Sequence, residues 1–268
     1  MKAIFIPTYI KKFLFNNNQE ATLLNEIEVA YKKNLYFGTP EISIVIPAYN
    51  EAENIVATLA SLCNNKTNIP VEIIVVDNNS TDRTGELVNA CGVKCITESN
   101  QGITQARNAG LFEAVGSIIL NADADTIYPK DWIQAMTKPL VENDEIAITY
   151  GRFSFIPTSK PGRVFYYFYE IMADFTRFYN NLKKDKAVNV YGFNSGFRRL
   201  QGLQVEGFNH PTGTNEDGFL ALKLSERGFG KIHRVKNTKA IVWTTDRRIQ
   251  MDGGIVKAII KRLSRLVN

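Results

Sequence analysis

Between residues 41 and 121, short apolar runs alternate with stretches in which apolar residues recur every three or four positions. The runs are rich in β-branched residues, which favours strands, and the stretches between them are typical of amphipathic helices. This alternation predicts an α/β fold with a mostly parallel central sheet and helices on both faces. The predicted strands are 42–46, 71–76, 93–97 and 117–120, and the predicted helices between them are 51–62, 81–90 and 101–115.

The alternation is less regular in the second half of the chain, and the residues before 41 do not follow it. Residues 21–33 are polar-rich with loosely helical spacing, and residues 38–40 (Gly-Thr-Pro) interrupt the chain after them. We therefore expect a helical N-terminal extension over 1–40 and one larger domain over 41–268. The later pattern predicts helices at 131–140, 163–182, 216–227 and 254–267, and strands at 146–153, 232–235 and 240–243.

Composition is that of a globular protein, since 44% of the 268 residues are hydrophobic and 22% are charged. The net charge of +5 is confined to the end of the chain, where residues 247–268 contain six basic residues and one acidic residue. The neutral remainder argues against a nucleic-acid-binding protein, whose basic residues are spread over a binding surface. No apolar run approaches the ~20 residues needed to span a bilayer.

The N-terminus and the cysteines favour a cytoplasmic location. Residues 1–15 are apolar and basic, but Pro7 interrupts them and no small-residue cleavage site follows, so we expect no signal peptide. Cys63, Cys91 and Cys95 form no metal-ligand pattern with a nearby histidine. We expect three reduced, buried thiols.

Acidic residues follow the strand predicted at 117–120, at the edge where the carboxyl ends of parallel strands meet and where open α/β sheets bind ligands. Asp123 and Asp125 are two positions apart, so an extended chain places both on the same side. Two converging carboxylates are typical of a Mg²⁺ site that also binds a diphosphate. The alternative is a solvated acidic turn.

Polar turns follow two other predicted strands, at 47–51 and 77–82. Asp77 and Asn78 carry groups that can contact a nucleobase edge, while residues 80–82 are equally suited to capping a helix. Farther along the chain, Glu216 and Asp217 open a predicted helix. This acidic pair either complements the helix dipole or supplies a general base to an acceptor hydroxyl.

These segments, in this order, resemble the inverting family 2 glycosyltransferases, which have the Rossmann-like GT-A fold. The resemblance extends from about residue 42 to residue 267. It rests on six short motifs and on their common order: Pro47–Glu51, Asp77–Asp82, Gly102–Gly110 with its central Ala106-Arg107-Asn108, Asp123–Asp125, Asn194–Arg199, and Gly207-Phe208 followed by Glu216-Asp217.

The resemblance implies a nucleotide-diphospho-sugar donor, with a UDP-sugar favoured, and a divalent cation, Mg²⁺ or Mn²⁺. It implies that Asp125 binds the metal ion and that Asp217 is the catalytic base. The residues for which it implies donor contacts are Pro47, Tyr49, Glu51, Asp77, Asn78, Arg107 and Asp123. The residues that become candidates for acceptor or loop contacts are Asn194, Glu216, Trp243, Arg247 and Arg248.

Arg247 and Arg248 are expected in a flexible loop that closes over the diphosphate, because a guanidinium binds phosphate through two hydrogen bonds. The alternative is a solvated basic turn. Two departures from the family pattern stand out. Asn78 replaces the second carboxylate of the nucleobase turn, which leaves the base open. Neither His210 nor His233 stands where some family members have a histidine metal ligand.

Two amphipathic segments suggest a contact surface: the first suits an acceptor groove or a membrane interface, and the second suits a membrane. In the aromatic helix 163–182, the residues expected to face the core are Phe165, Phe168, Met172, Phe175 and Tyr179, which leaves Tyr166, Tyr167, Tyr169 and Phe178 on the other side. In helix 254–267, Ile255, Ile259, Leu263 and Leu266 form an apolar face, and most basic residues lie away from it. Such a helix is typical of peripheral membrane attachment, although it also suits packing on the domain.

The sequence thus predicts a metal-dependent, inverting glycosyltransferase that acts on a hydroxyl acceptor, either a glycan or a lipid-linked one. Its expected setting is surface polysaccharide or glycolipid synthesis, in the cytoplasm or at the inner face of the cell membrane. One alternative is a degenerate member that binds nucleotide-sugar or glycan without turnover. Another is a sugar nucleotidyltransferase, which needs a glycine-rich phosphate loop near the first strand, and segment 47–51 contains no glycine.

Overall fold

The computed structural model describes residues 3–14, 20–182 and 186–267, without the side chains of 20, 180–182 and 261–267. The strands are β1 (Ile42–Ala48), β2 (Val71–Asp77), β3 (Lys94–Thr97), β4 (Ile118–Asn121), β5 (Thr126–Ile127), β6 (Ile146–Tyr150), β7 (Phe153–Ile156), β8 (Ser195–Arg198), β9 (Lys231–Arg234) and β10 (Val242–Thr245). The helices are α1 (Thr8–Lys11), α2 (Glu20–Asn34), α3 (Ile55–Cys63), α4 (Thr84–Ala90), α5 (Ile103–Glu113), α6 (Trp132–Glu142), α7 (Arg163–Leu182), α8 (Arg199–Gln204), α9 (Glu216–Glu226), α10 (Arg247–Met251) and α11 (Gly254–Val267).

Seven strands form the central sheet in the order β3-β2-β1-β4-β8-β6-β9. Its strands are parallel except β8, which runs antiparallel to β4 and to β6. Strands β1 and β4 are buried along their whole length, as expected for strands covered on both faces. The carboxyl ends of β1, β2, β4, β6 and β9 therefore lie at one edge of the sheet. The predicted α/β fold is confirmed.

The run predicted as one strand at 146–153 is two strands, β6 and β7, in different sheets. Strand β7 joins β10 and β5 in a small three-stranded sheet that lies beside the carboxyl edge of the central one. The chain leaves the central sheet at Gly151, whose N–H donates to the carbonyl of Asn194. A side chain at Gly151 would collide with the Asn194 amide, so a glycine is needed at this break.

Helices cover both faces of the central sheet. One face packs against α2, α3 and α6, through buried residues that include Leu59, Leu62, Trp132 and Met136. The other face packs against α5 and α9, through Leu111, Leu220 and Leu224 among others. Alternate residues of the parallel strands contribute to the two cores, which explains why their sequences are continuously apolar.

Helix α7 is rotated relative to the prediction, and the phenylalanines expected in the core face outward. Its buried residues are Tyr166, Tyr169, Glu170, Ala173, Thr176 and Arg177, whereas Phe165, Phe168, Phe175 and Phe178 are exposed. The inward polar groups have partners there. The Glu170 carboxylate accepts hydrogen bonds from the Phe155 N–H at 2.7 Å and the Ser154 hydroxyl at 3.1 Å, and pairs with Arg163 at 3.0 Å. These hydrogen bonds decide which face is buried.

The segment before residue 41 contacts the central core. Ile27, Tyr31 and Leu35 are buried in the same cluster as residues of β1 and α3. The Tyr31 hydroxyl accepts a hydrogen bond from the Ile73 N–H of β2 at 3.0 Å. The division of the chain at residue 40 stays a prediction, and the packing ties both sides of it to one core.

The start of helix α11 packs on the domain. Ile255 is buried and Ile259 is partly buried against the core, while Val256, Lys257 and Ile260 face outward. The remainder of the predicted apolar face, Leu263 and Leu266, lies outside the described side chains. Within the part of the chain described, no helix is both long and apolar enough to cross a membrane.

Candidate functional site

A cleft of about 770 Å³ opens at the carboxyl edge of the central sheet, next to the small sheet. Turns and helix ends from both halves of the chain contribute to it. Its polar and charged lining includes Tyr49, Glu51, Asn78, Asp123, Asp125, Arg247 and Arg248, and its aromatic lining includes Phe153, Tyr169, Tyr191 and Phe193. Most of the residues expected to contact a donor are thus brought together from positions up to 76 residues apart, between Pro47 and Asp123.

The turns after β1 and β2 are hydrogen-bonded to each other. Asn50 adopts a left-handed conformation with φ 53°, and its N–H donates to the Ser80 hydroxyl at 2.9 Å. The Glu51 N–H donates to the Thr84 hydroxyl at 2.8 Å. Asp77 caps its own turn, since its Oδ1 accepts from the Ser80 N–H at 3.0 Å. These contacts hold Pro47 and Tyr49 at the cleft.

Asn78 is buried and uses its side chain to hold the segment 98–102. Its Nδ2 donates to the carbonyls of Glu98 at 2.9 Å and Asn100 at 2.8 Å, and its Oδ1 accepts from the Gly102 N–H at 2.7 Å. The prediction that this side chain reads a nucleobase is therefore corrected. Asn78 shapes the wall of the cleft, and its amide groups are already paired with the protein backbone.

Asp123 and Asp125 lie at the cleft, as the alternation after β4 predicts. The Asp123 N–H donates to the Tyr128 hydroxyl at 2.9 Å, and Asp125 Oδ2 accepts from the Thr245 hydroxyl at 2.6 Å. Burial raises the pKa of Asp125, and the neighbouring Asp123 and Glu51 carboxylates raise it further against the Thr245 hydrogen bond. This excess of negative charge favours a bound cation.

Arg247 faces two of these carboxylates, those of Glu51 and Asp125. Its guanidinium is paired with Glu51 and lies 3.9 Å from Asp125 Oδ2. Arg247 and Arg248 were expected in a flexible loop, but they begin helix α10 directly after β10. Trp243 of β10 is not among the residues that line the cleft. Its buried ring lies under Arg163, and Thr244 lines the cleft instead.

Arg107 connects the two acidic motifs of the site. This fully buried residue of α5 donates from Nη2 to Asp123 at 2.9 Å, and its Nε lies 3.4 Å from Asp217 and 4.0 Å from Glu216. Three carboxylates around one guanidinium compensate its burial. The expectation that Arg107 orients acidic residues agrees with these contacts.

Asp217 lies at the start of α9 and is not among the residues that line the cleft, and two groups hold its carboxylate. Besides Arg107, the N–H of Gly192 donates to Asp217 Oδ2 at 2.7 Å. Burial raises the pKa of Asp217, Arg107 opposes this rise, and Glu216 and Asp123 add to it. A carboxylate with a raised pKa is suited to accepting a proton near neutral pH.

Three supporting residues escaped the sequence analysis. Gly192 allows its backbone to approach Asp217, because a side chain there would collide with both Arg107 and Asp217. Tyr128 orients the Asp123 backbone, and Thr245 orients the Asp125 side chain. Glycine, tyrosine and threonine are too common in turns and strands for these positions to give a signal in one sequence.

Asn194, expected as an acceptor contact, is a buried structural residue. Its Oδ1 accepts from the Trp132 indole N–H at 2.8 Å, and its Nδ2 donates to the carbonyls of Arg152 at 2.8 Å and Ala240 at 3.1 Å. All its hydrogen-bonding groups are used within the protein, so it joins α6 to the connections around the small sheet.

The oxygen atoms around Asp125 are suitable ligands for a hard divalent cation. Among the described residues, no group of three or more His, Cys, Asp and Glu side chains is arranged to hold a metal ion by itself. Mg²⁺ and Mn²⁺ nevertheless bind well to one or two carboxylates together with substrate phosphates. The crowded carboxylates of Asp123 and Asp125 fit that requirement.

Comparison with known proteins identifies the family. Residues 43–200 match the sequence model of Glycosyl transferase family 2, and the chain belongs to this family. It is 34% identical over 125 residues to a chondroitin synthase from Escherichia coli, a match that covers 44% of this chain and 18% of that protein. It is 25% identical over 197 residues to the glycosyltransferase GlyA from Streptococcus pneumoniae, covering 69% of this chain and 28% of the relative. The chain thus matches only a minor part of the length of these relatives.

Solved structures share the fold. The mannosyltransferase PcManGT from Pyrobaculum calidifontis, in complex with GDP-Man and Mn²⁺, superposes with a TM-score of 0.55 at 20% identity over 88% of this chain and 67% of its own. A second match is glucosyl-3-phosphoglycerate synthase from Mycobacterium tuberculosis, in complex with Mn²⁺, UDP-Glc and phosphoglyceric acid. It superposes with a TM-score of 0.57 at 21% identity, over 90% of this chain and 82% of its own. The fold is therefore the GT-A fold of nucleotide-sugar glycosyltransferases, and the family favours this class over a nucleotidyltransferase.

Proposed function

We propose that this protein is a metal-dependent, inverting glycosyltransferase that moves a sugar from a nucleotide-diphospho-sugar to a hydroxyl acceptor. The observation that carries the proposal is the position of Arg107. Its guanidinium contacts Asp123, which lines the cleft, and Asp217, which does not, so one side chain holds the donor-side carboxylate and the proposed base together. The solved structures of the same fold, complexed with GDP-Man or UDP-Glc and Mn²⁺, support this assignment.

The donor is proposed to lie across the ends of β1, β2 and β4. Pro47 and Tyr49 border the nucleotide half of the cleft, with Asp77 behind them and Asn78 shaping its wall. Asp123 contacts the ribose or diphosphate and stays ordered through Arg107 and Tyr128. A UDP-sugar is favoured, as the family resemblance implies.

Asp125 is the residue proposed to hold Mg²⁺ or Mn²⁺, together with donor phosphate oxygens. When bound, such an ion stabilises the negative charge that develops on the departing diphosphate. Arg247 and Arg248 line the same part of the cleft and add positive charge beside it. Glu51 holds Arg247 at this place until a donor competes for the guanidinium.

Asp217 is proposed to take the proton of the acceptor hydroxyl. The acceptor oxygen then attacks the anomeric carbon from the face opposite the diphosphate, and the bond from that carbon to the diphosphate oxygen breaks. This single displacement inverts the configuration. Glu216, beside the base, adjusts its pKa and contributes to the acceptor side. The proposed products are surface polysaccharide or glycolipid, with the enzyme acting in the cytoplasm or at the inner face of the cell membrane.

Calorimetric titration with UDP-, GDP- and dTDP-sugars, each with Mn²⁺ and with a chelator, tests the proposal. We expect one nucleotide class to bind in the presence of Mn²⁺ and to lose at least roughly tenfold in affinity with the chelator or in Asp125→Ala. Asp131→Ala, just before α6 and outside the cleft, is the control and should bind as the wild type does. Unchanged affinity of Asp125→Ala would overturn the metal role. Absence of binding by every donor would favour the degenerate, non-catalytic alternative.

A further inference from the structure

Three arginines converge at the carboxyl ends of β6 and β9, beside the donor cleft. Arg152 follows β6, Arg234 ends β9, and Arg177 reaches them from the inner face of α7. Their guanidinium groups surround Asp174, at 3.9 Å from Arg152, 3.6 Å from Arg234 and 3.0 Å from Arg177. We call these four residues the arginine cluster.

The arginine cluster has more positive than negative charge within the described part of the chain. Arg177 is only 4% exposed, and its Nε and Nη1 are buried without a hydrogen bond to any described group. Burial lowers the pKa of Arg152, Asp174 opposes this, and the neighbouring Arg234 and Arg177 lower it further. Buried guanidinium groups without enough counter-charge are costly, so this arrangement favours an added anion.

The arginine cluster is placed to meet an acceptor rather than the nucleotide. Strands β6 and β9 lie on the far side of β4 from β1 and β2, whose ends carry the nucleotide half of the cleft. The Arg177 guanidinium lies 5.2 Å from the centre of the Phe153 ring, and Phe153 lines the cleft. Arg152 and Arg234 are 17% and 26% exposed, so the cluster is open to solvent on that side.

We propose that the arginine cluster binds a phosphate group carried by the acceptor, a role that rests on the glycosyl transfer proposed above. Among the residues that the structure describes, three guanidinium groups around one carboxylate leave two positive charges, which a phosphate monoester dianion matches. Guanidinium groups bind phosphate through paired hydrogen bonds, for which Arg177 has free N–H groups in a low-dielectric site. The acceptor class is therefore a phosphorylated alcohol or glycan, water-soluble or lipid-linked.

Arg234→Gln and Lys231→Gln form a matched pair that tests this site. Both changes remove one positive charge from β9, but Lys231 lies at its other end and pairs with Glu145 on the surface. The probe is inorganic phosphate, titrated by calorimetry against the full-length protein. We expect Arg234→Gln to weaken phosphate binding roughly tenfold, and Lys231→Gln to bind as the wild type does. Arg247→Gln, in the donor cleft, should also retain phosphate binding.

Equal phosphate affinity in wild type and Arg234→Gln would overturn the proposal, and so would loss of binding in Arg247→Gln alone. A second titration with dodecyl phosphate below its micellar concentration separates the two sources of the anion. Tighter binding than inorganic phosphate supports a lipid-linked phosphate, and equal binding supports a soluble one. Titration of Arg234→Gln with the nucleotide-sugar donor and Mn²⁺ separates this proposal from the proposed glycosyl transfer. If the donor site is wrongly assigned, the donor titration fails while the phosphate titration is unaffected.

A separate observation concerns the outer face of α7. Phe165, Phe168, Ile171, Phe175 and Phe178 recur at helical spacing and are exposed, with Phe168 at 64% and Phe175 at 68%. Helix α11 packs beside α7, and Met251, Val256 and Ile260 are exposed on α10 and α11. We call these eight residues the aromatic face. Apolar patches of this kind on a monomer mark an interaction surface.

We infer that the aromatic face binds a membrane that contains anionic lipids. Helices α10 and α11, which follow one another beside α7, belong to a segment whose sequence from 247 to 267 has six basic residues and one acidic residue, and Lys257 is exposed beside Val256 and Ile260. Exposed aromatic residues next to concentrated positive charge are typical of interfacial membrane binding. A second copy of the chain is disfavoured as the occupant, because its own basic segment would be brought against this one. Met251 also lines the donor cleft, so the bound membrane lies at the cleft's mouth.

Vesicle co-sedimentation tests the aromatic face. We expect Phe168→Ser combined with Phe175→Ser to reduce partitioning onto phosphatidylglycerol-containing vesicles roughly tenfold. Phe112→Ser is the control, since Phe112 is an equally exposed phenylalanine on α5. The inference would be overturned if the wild-type protein did not bind these vesicles, or if Phe112→Ser lost as much partitioning as the double variant. A concentration-dependent dimer that the double variant abolishes would instead assign the face to a second copy.

Discussion

Asn78 stands where the family pattern has a carboxylate, and its amide donates to two backbone carbonyls that a carboxylate would repel. We therefore predict that Asn78→Asp lowers the free energy of unfolding by about 2 kcal/mol, because two carbonyls lose their donor in partly buried hydrogen bonds and then face a carboxylate. Urea unfolding measures the change. Asn79→Asp, the same substitution at the exposed next position, is the control and should have little effect. Equal destabilisation by both variants would contradict the bracing role of Asn78.

Asp217 provides a second residue-scale prediction. We expect Asp217→Asn to lower donor hydrolysis, measured as nucleoside diphosphate release, by at least about 100-fold while donor affinity is retained. Glu226→Gln, at the exposed far end of α9, is the control. Wild-type kcat should fall as the pH is lowered from about 8 to about 5.5, because a base acts only when ionised and burial raises the pKa of Asp217.

The direction of this pH dependence can be tested by removing the neighbouring Glu216 carboxylate. The Glu216 carboxylate raises the pKa of Asp217, so Glu216→Gln should lower that pKa and shift the inflection of the kcat profile to lower pH. A profile that is flat across this range, or an inflection that moves upward in Glu216→Gln, would argue against Asp217 as the base.

At the scale of elements, the turn at Gly192 joins α5 to α9 through Arg107 and Asp217. Gly192→Ala would place a methyl group against both side chains. We predict a loss of roughly 2 kcal/mol in the free energy of unfolding, together with slower donor hydrolysis. Gly162→Ala, just before α7, has nothing within contact distance and is the matched control. The prediction fails if the two variants unfold at the same urea concentration.

The elements themselves were largely predictable, and their orientation was not. Helices α7 and α11 have the predicted bounds, and β1 to β4 were each predicted within two residues. The rotation of α7 was predicted wrongly, because apolar spacing alone did not account for the buried partners of Glu170. The break between β6 and β7 was missed as well, since the apolar pattern continues across Gly151 while the backbone changes sheets.

At the scale of the whole molecule, the N-terminal segment and the central sheet share one core. Tyr31→Phe removes the hydroxyl oxygen that accepts a hydrogen bond from the Ile73 N–H. This buried N–H then loses its partner. We predict a loss of about 1–2 kcal/mol in the free energy of unfolding, with a single cooperative transition. Tyr36→Phe, at a half-exposed position, is the control. Two separate transitions would show instead that the segment before residue 41 unfolds on its own.

The sequence by itself determined the alternation of strands and helices, the edge at which the acidic motifs meet, and the family. These properties depend on local periodicity and on the rule that parallel strands end at one edge. Tertiary structure alone decided that Asn78 and Asn194 support the backbone, that Trp243 does not line the cleft, and that α7 exposes its phenylalanines. The physical reason is that hydrogen-bond partners settle such roles. The partner of Trp132, for example, is Asn194, and chain folding alone brings those two residues together.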